Sequence, residues 1–339
     1  MRIYDFRQSP LLYKQERKYV KHTLLVRVVL LFALFMAAET LSGLVTGGVM
    51  VVLVWRDIVS LFAGAQGAPS EVVAGELKSL LLGASGHPAV LLAQLFSTSF
   101  VVAALLVFLL CFDGRTATSL GLKESKRKAA VHYALGAVAG LVLLAATVLL
   151  AWLASGISVR FAPQSPWYLP LFLVAFVIQG FSEELLLRGY VLTSFLRPGT
   201  SPLQGVLFSS LLFALLHLPN NGVTPLALFN IFLFGCLTGL LTLRTGNLFA
   251  ASAIHSLWNF AQGCLFGVSV SGNPLMPSLL TSVPVEGRWL ISGGSFGLEG
   301  SIFATLVLLL ALLPVTLTRT KHREQPFQSF GGGTFYFGG

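Results

Sequence analysis

The stretch Phe181-Ser-Glu-Glu-Leu-Leu-Leu-Arg-Gly-Tyr190 lies inside an apolar run covering residues 167–196, and Glu183, Glu184 and Arg188 are the only charged residues of that run. Roughly 20 mostly apolar residues, at a rise of about 1.5 Å each, cross the hydrocarbon of a bilayer. The run therefore reads as a membrane span with charge inside it. Seven further apolar runs accompany it, at about 24–53, 88–112, 130–154, 201–218, 224–243, 247–267 and 301–317. The expected fold class is all-α, a polytopic membrane helical bundle with about eight transmembrane helices. Composition agrees. Of the 339 residues, 55% are hydrophobic and only 10% are charged, against about 25% charged in a soluble domain. Such a chain lacks the polar surface to cover itself in water.

Apolar character continues from the first run to Ala63, with Glu39 and Asp57 inside it. One long tilted helix is the preferred reading, with a re-entrant pair as the alternative. The basic stretch before this run resembles a signal peptide. The run is too long for one, however, and no small-residue cleavage site follows promptly, so it is expected to remain as an anchor. Cys111, Cys236 and Cys264 fall singly inside apolar stretches and read as packing residues.

Lys and Arg number 22 against 13 Asp and Glu, a net charge of +9. The basic residues gather at the ends of apolar runs, which argues against a nucleic-acid partner and for membrane topology. Cytoplasmic loops carry the Lys and Arg excess. With eight spans, one face receives Arg2, Arg7, Lys14, Arg17, Lys18, Lys21 and Arg27, then Arg115, Lys123, Lys126, Arg127 and Lys128, then Arg319, Lys321 and Arg323, together with Arg188, Arg197 and Arg244. Only Arg56, Lys78, Arg160 and Arg288 are left for the other. An integral membrane protein with both termini cytoplasmic is expected, in the inner membrane if the host is bacterial. The chain divides into a basic N-terminal segment (1–23), N-terminal spans (24–165), a core (166–268), an external loop with the last span (269–323) and a flexible tail (324–339).

An ionisable side chain inside a span costs several kcal/mol by most estimates and is a functional candidate by default. The spans hold few: Glu183, Glu184 and Arg188; His217 in Phe213-Ala-Leu-Leu-His217; and His255, with the polar Asn259, in His255-Ser-Leu-Trp-Asn259. Outside this set Arg27 is near enough to a span end to snorkel, and Glu39 reads as structural or interfacial. Glu184 and Arg188 are four apart, stacked on one helix face, and are expected to neutralise each other. Glu183 points about 100° away and is the free carboxylate. His255 and Asn259 are also four apart, so two hydrogen-bond donors face one direction, as an oxyanion hole requires. Gln179, Ser182 and Asn230 are expected to help line a water-filled cavity. Counting rises from the span ends puts Glu183 and His217 at similar depth but leaves His255 about 10 Å shallower. Tilt, or a submerged turn at 245–247, has to absorb that difference. Singly, each of these residues could serve as an interhelical hydrogen-bond partner. Two carboxylates, an arginine, two histidines and an asparagine on three spans would be a costly way to hold helices together.

The order Glu-Glu-x-x-x-Arg, Phe-x-x-x-His, His-x-x-x-Asn, each in its own apolar segment, resembles the CPBP family of CAAX proteases and bacteriocin-processing enzymes, also called Abi. The resemblance covers about 167–266 and extends to Asn230, Phe234-Gly235, Gly239 and Arg244-Thr-Gly-Asn-Leu. Gly293-Gly-Ser-Phe-Gly297 is similar to a feature of some bacterial members. The resemblance implies an all-helical intramembrane endopeptidase in which Glu183 activates a water with His217, His255 and Asn259 stabilise the oxyanion, and Glu184 with Arg188 supports the site. Its partners would be the bilayer and a membrane-associated protein or peptide substrate.

No cofactor is required in this reading. Zinc, held by Glu183, His217 and His255, is the alternative, although the paired-histidine helix of the zincins is absent from the sequence. A proton-coupled transporter and a catalytically silent scaffold binding a partner helix are the competing classes. Discontinuous helices and paired halves would favour the transporter, and the sequence shows neither clearly.

Overall fold

The computed structural model describes residues 2–318, apart from 16, 17, 19, 22, 66, 67 and 197–200. The tail expected to be flexible (324–339), and Arg17, Arg197, Arg319, Lys321 and Arg323 of the charge argument, lie outside the described residues. In chain order the elements are β1 (Arg2–Ile3), α1 (Leu24–Leu53), α2 (Trp55–Gly64), α3 (Ser70–Ala84), α4 (Pro88–Ser97), α5 (Ser99–Phe108), α6 (Lys126–Leu153) and β2 (Ile157–Gln164). There follow α7 (Leu169–Glu184), α8 (Pro202–Leu216), α9 (Pro225–Thr245), α10 (Phe249–Phe260), β3 (Ser278–Pro284), α11 (Trp289–Ser292), α12 (Ile302–Thr316) and β4 (Leu317–Thr318). π-helical turns extend α5 over Leu109–Asp113, α7 over Leu185–Leu192 and α10 over Ala261–Leu265. The fold is a helical membrane bundle.

Local chemistry explains where the helices begin. Thr23, Ser125, Thr224 and Ser301 each accept a backbone N–H of the first turn of α1, α6, α9 and α12, which satisfies a donor that has no partner within the helix. Prolines open α4, α8 and α9 where no N–H is needed. Among the described residues, five helices are long and apolar enough to cross a membrane: Leu25–Leu53, Pro88–Asp113, Lys126–Leu153, Pro166–Leu192 and Pro225–Thr245. The runs at 201–218, 247–267 and 301–317 form the shorter α8, α10 and α12. Fifteen residues, the length of α8 and α12, reach only about 22 Å. Irregular backbone at their ends is tolerated at membrane depth where protein covers it. The first apolar stretch is neither one helix to Ala63 nor a re-entrant pair. It breaks at Val54 (φ −103°, ψ 15°), and the polar Arg56 and Asp57 then open the separate α2.

The bundle is densest around α6, α9 and α10. Gly136 and Gly140 of α6 lie against the backbone of Ala250 and Ile254 in α10, where any Cβ would overlap a carbonyl oxygen. Small residues of this kind let helices approach closely where no hydrophobic effect separates protein from lipid tails. The main core gathers Leu144, Val148, Phe213, Phe234, Leu237, Ile254 and Trp258.

At one end of the bundle β1 pairs antiparallel with β4, so both ends of the described chain lie together. The N-terminal segment also closes over the turn between α9 and α10. Ser9 Oγ donates to the Leu243 carbonyl, Lys14 Nζ donates to the Gly246 carbonyl, and Asn247 is fully buried. Arg27 does not snorkel. It donates to Asp113 at 2.6 Å, and Arg115 meets the other oxygen of Asp113 at 3.1 Å, which ties the start of α1 to the end of the α5 span. At the opposite end β2 and β3 form an antiparallel pair, from Ile157 against Pro284 to Gln164 against Ser278, with an irregularity after Phe161. These strands are an addition to the expected all-helical fold.

Gly140→Leu forces the α6–α10 backbones apart and is expected to cost about 1–3 kcal/mol. Gly47→Ala, where a Cβ meets nothing within 4 Å, should change stability by no more than about 1 kcal/mol. Thermal unfolding of the two variants in detergent checks the contrast.

Candidate active site

Glu183 and Glu184 close the last turn of α7, and Arg188 follows in its π-helical extension. Arg188 Nη1 donates to Glu184 Oε1 at 3.1 Å, with both side chains fully buried. The Arg188 guanidinium also stacks 4.8 Å from the centre of the Phe213 ring. This is the neutralised pair expected from the four-residue spacing. The structure adds a third member, because the same Glu184 oxygen accepts from His255 Nδ1 at 3.0 Å. Glu184 thus balances the arginine and orients an imidazole from α10.

Glu183 faces the other way, into a cavity of about 660 Å³ that it shares with His217, His255 and Asn259. The Glu183 side chain is 30% exposed, against 0% for its neighbour Glu184, so the two adjacent carboxylates have separate environments. Glu183 Oε2 lies 3.6 Å from His255 Nε2 and accepts no hydrogen bond from the described residues. Its Oε1 accepts from Gln179 Nε2 at 2.5 Å, and Gln179 Oε1 accepts from Asn259 Nδ2 at 3.1 Å. Gln179 therefore joins the α7 carboxylate to the α10 amide.

His217 caps the C-terminus of α8. Its Nδ1 lies 2.8 Å from the Phe213 carbonyl oxygen, which can only accept, so Nδ1 carries the proton and Nε2 is left with a lone pair. The Phe213 ring stands edge-on to both imidazoles, at 4.8 Å from His217 and 5.7 Å from His255. The aromatic residue four before His217 is therefore the spacer between the two histidines. Asn247 and Leu248, in the turn that leads into α10, are buried, and the N-terminal segment reaches that turn through Lys14.

Of the polar residues expected to line the cavity, Gln179, Ser182 and Asn230 all do. Asn230 has a further task, donating to the carbonyls of Glu299 and Ser301 and accepting from Thr305. Glu39 of α1, which reads from the sequence as structural or interfacial, also lines the cavity. Glu299, from the loop before α12, was not singled out in the sequence. It reaches the same cavity, and burial pushes its carboxyl up to about 7. Only its place in the extramembrane Gly-rich segment marked it.

Among the described residues no group of three His, Cys, Asp or Glu converges to hold a metal ion. Glu183 Oε1 and both Nδ1 atoms are engaged in hydrogen bonds, and Glu183 Oε2 and the two Nε2 atoms would be the ones to hold a metal ion.

Residues 165–261 match the family model described as type II CAAX prenyl endopeptidase, Rce1-like. Over that segment the chain is similar to this CAAX-type family, the same kind of family that the motif order resembles. Among curated proteins and solved structures, nothing matches significantly.

Glu184→Ala would leave Arg188 charged, buried and without its carboxylate. Such a change is expected to cost about 3–5 kcal/mol of fold stability, whereas Glu183→Gln, on the cavity wall, should cost less than about 1 kcal/mol. Denaturation in detergent micelles, followed by circular dichroism, separates the two.

Proposed function

We propose that this protein is an intramembrane endopeptidase that hydrolyses a peptide bond of a membrane-associated protein or peptide with water activated by Glu183 and His217. The observation that carries the reading is the placement of a free Glu183 oxygen, the His217 lone pair, His255 and Asn259 around one cavity, within a segment of CAAX-protease type.

A water held between the Glu183 carboxylate and His217 Nε2 attacks the scissile carbonyl carbon while Glu183 takes one of its protons as general base. The new C–O bond leaves a tetrahedral oxyanion. Asn259 Nδ2, which has a second hydrogen beyond the one given to Gln179, donates to it. So does His255 Nε2 when the ring enters the step carrying both protons, the second taken up from solvent beforehand; Glu184 is the counter-charge for that form, since Glu183 is neutral once it holds the water's proton. Collapse breaks the C–N bond, and the proton held by Glu183 passes to the leaving amine. No step runs through a metal. The supporting Glu184–Arg188 pair touches no substrate and keeps His255 in place.

The paired strands at the two ends of the described chain, together with the basic residues on that face, support a cytoplasmic location for both termini. Prenylated C-terminal peptides follow from the family's description as one substrate class, and other membrane peptides form the alternative.

Glu183→Ala and His217→Ala are expected to lower cleavage of a membrane peptide in reconstituted vesicles by at least about a thousandfold while the fold persists. Full activity in either variant would overturn the assignment. Cleavage should also survive exhaustive dialysis against a chelator, with elemental analysis of the same sample showing no zinc.

A further inference from the structure

We propose that Glu299 is the positioning residue that holds the three helices of the site in register by fastening the loop before α12 across their ends. The inference deepens the peptidase reading and rests on it for its kinetic consequences. The geometry itself stands apart from any activity.

Glu299 lies outside the segment that matches the protease family, yet its own hydrogen bonds reach α9 and the turn that extends α10, and through Ser271 and Asn220 they lead on to the end of α8. Its Oε2 accepts from the backbone N–H of Ser271 at 2.6 Å, and its Oε1 and Oε2 lie 3.2 and 3.1 Å from Ser271 Oγ. The carbonyl of Ser271 in turn accepts from Asn220 Nδ2 at 2.9 Å, and the backbone N–H of Asn220 donates to the carbonyl of His217 at 3.1 Å. Two residues thus separate the Glu299 carboxyl from the backbone of the imidazole that caps α8. On the second side Glu299 Oε2 accepts from Gln262 Nε2 at 3.1 Å, and Gln262 sits in the π-helical turn three residues after Asn259. On the third side the Glu299 carbonyl accepts from Asn230 Nδ2 of α9 at 2.7 Å.

The contact is tight as well as hydrogen-bonded. Ser271 holds a left-handed φ of 49°, a conformation costly for a residue with a Cβ and kept only where its surroundings enforce it. The Glu299 carboxyl, taking both the N–H and the hydroxyl of Ser271, supplies that enforcement. Next to it Gly272 has φ +81°, and a Cβ there would overlap the carbonyl of Asn221 in the turn after His217. The 270–273 turn is therefore pressed against the 217–222 turn, and Glu299 closes it from above.

This arrangement calls for a carboxyl or an amide and not for a proton donor to substrate. With the carboxyl lifted by burial to about 7, both protonation states are present near neutrality. Either state can keep Oε2 as acceptor for Ser271 N–H and Gln262, because Ser271 Oγ can donate to Oε1 or accept from it. Glutamine has the same shape and the same acceptor.

The test compares Glu299→Ala with Glu299→Gln in the full-length protein in detergent and in vesicles. Hydrogen–deuterium exchange should rise in 217–223 and 262–266 for Glu299→Ala and stay at the wild-type level for Glu299→Gln. This readout needs no turnover, so it stands even if no peptide is cleaved by the wild type, a result that would overturn the peptidase reading alone. In the cleavage assay Glu299→Ala is expected to lose about tenfold to a hundredfold in kcat, as a displacement near 1 Å would, with KM changed less than about twofold. Glu299→Gln should restore most of it. Asn220→Ala, which cuts the same path one step further on, should reproduce the kcat loss and serves in place of Glu299→Ala if that variant fails to fold. Equal loss in Glu299→Gln and Glu299→Ala would mean that Glu299 transfers a proton, and would overturn the proposal. Unchanged exchange in both Glu299→Ala and Asn220→Ala would overturn it as well.

Discussion

The structure depends on keeping Arg188 charged in a place where no water reaches. A bare guanidinium in an apolar bundle is costly enough that a partner is obligatory. Glu184, four residues earlier on the same chain, supplies it, and the Phe213 ring covers the guanidinium face. The carboxylate that meets this need has a second lone pair to use, and it spends that capacity on His255. One electrostatic requirement thereby sets the relative position of α7, α8 and α10. The adjacent Glu183, turned about 100° away, is left facing the cavity.

Around that centre the bundle is built from close backbone contact and from closure at both ends. Gly136 and Gly140 bring α6 against α10, so α10 has a rigid backing for the histidine it presents. The N-terminal segment covers the α9–α10 turn, where Asn247 and Leu248 are buried. At the other end the loop before α12 lines the cavity, meets α9 at Asn230 and the extension of α10 at Gln262, and reaches the end of α8 through Ser271 and Asn220. The short lengths of α8 and α12 follow from these covers, since a helix that ends against protein need not reach a lipid headgroup.

Much of this was legible in the sequence. The scarcity of charge and the apolar runs led to a helical membrane bundle, and the spacing of Glu184 and Arg188 foretold their pairing. Gln179 was named as a cavity residue, but its bridge between Glu183 and Asn259 was not, because the two partners are 76 residues apart in number and no periodicity links them. Arg27 reads as snorkelling because it lies near the end of its span and no carboxylate stands one turn away in its own helix. Asp113, its carboxylate partner, arrives from the end of another span. The strands β2 and β3 were invisible for the same reason, since each pairs with a segment more than a hundred residues away.

What the sequence by itself determined is the set of intramembrane polar groups and their order on three apolar segments. Helical geometry is local, so spacing alone tells which of them share a face. The tertiary structure alone decided which face meets which, that His217 exposes Nε2 and His255 is turned by Glu184, and that Glu299 belongs to the assembly. Those outcomes follow from packing and from hydrogen bonds between distant segments, which leave no periodic mark on the chain.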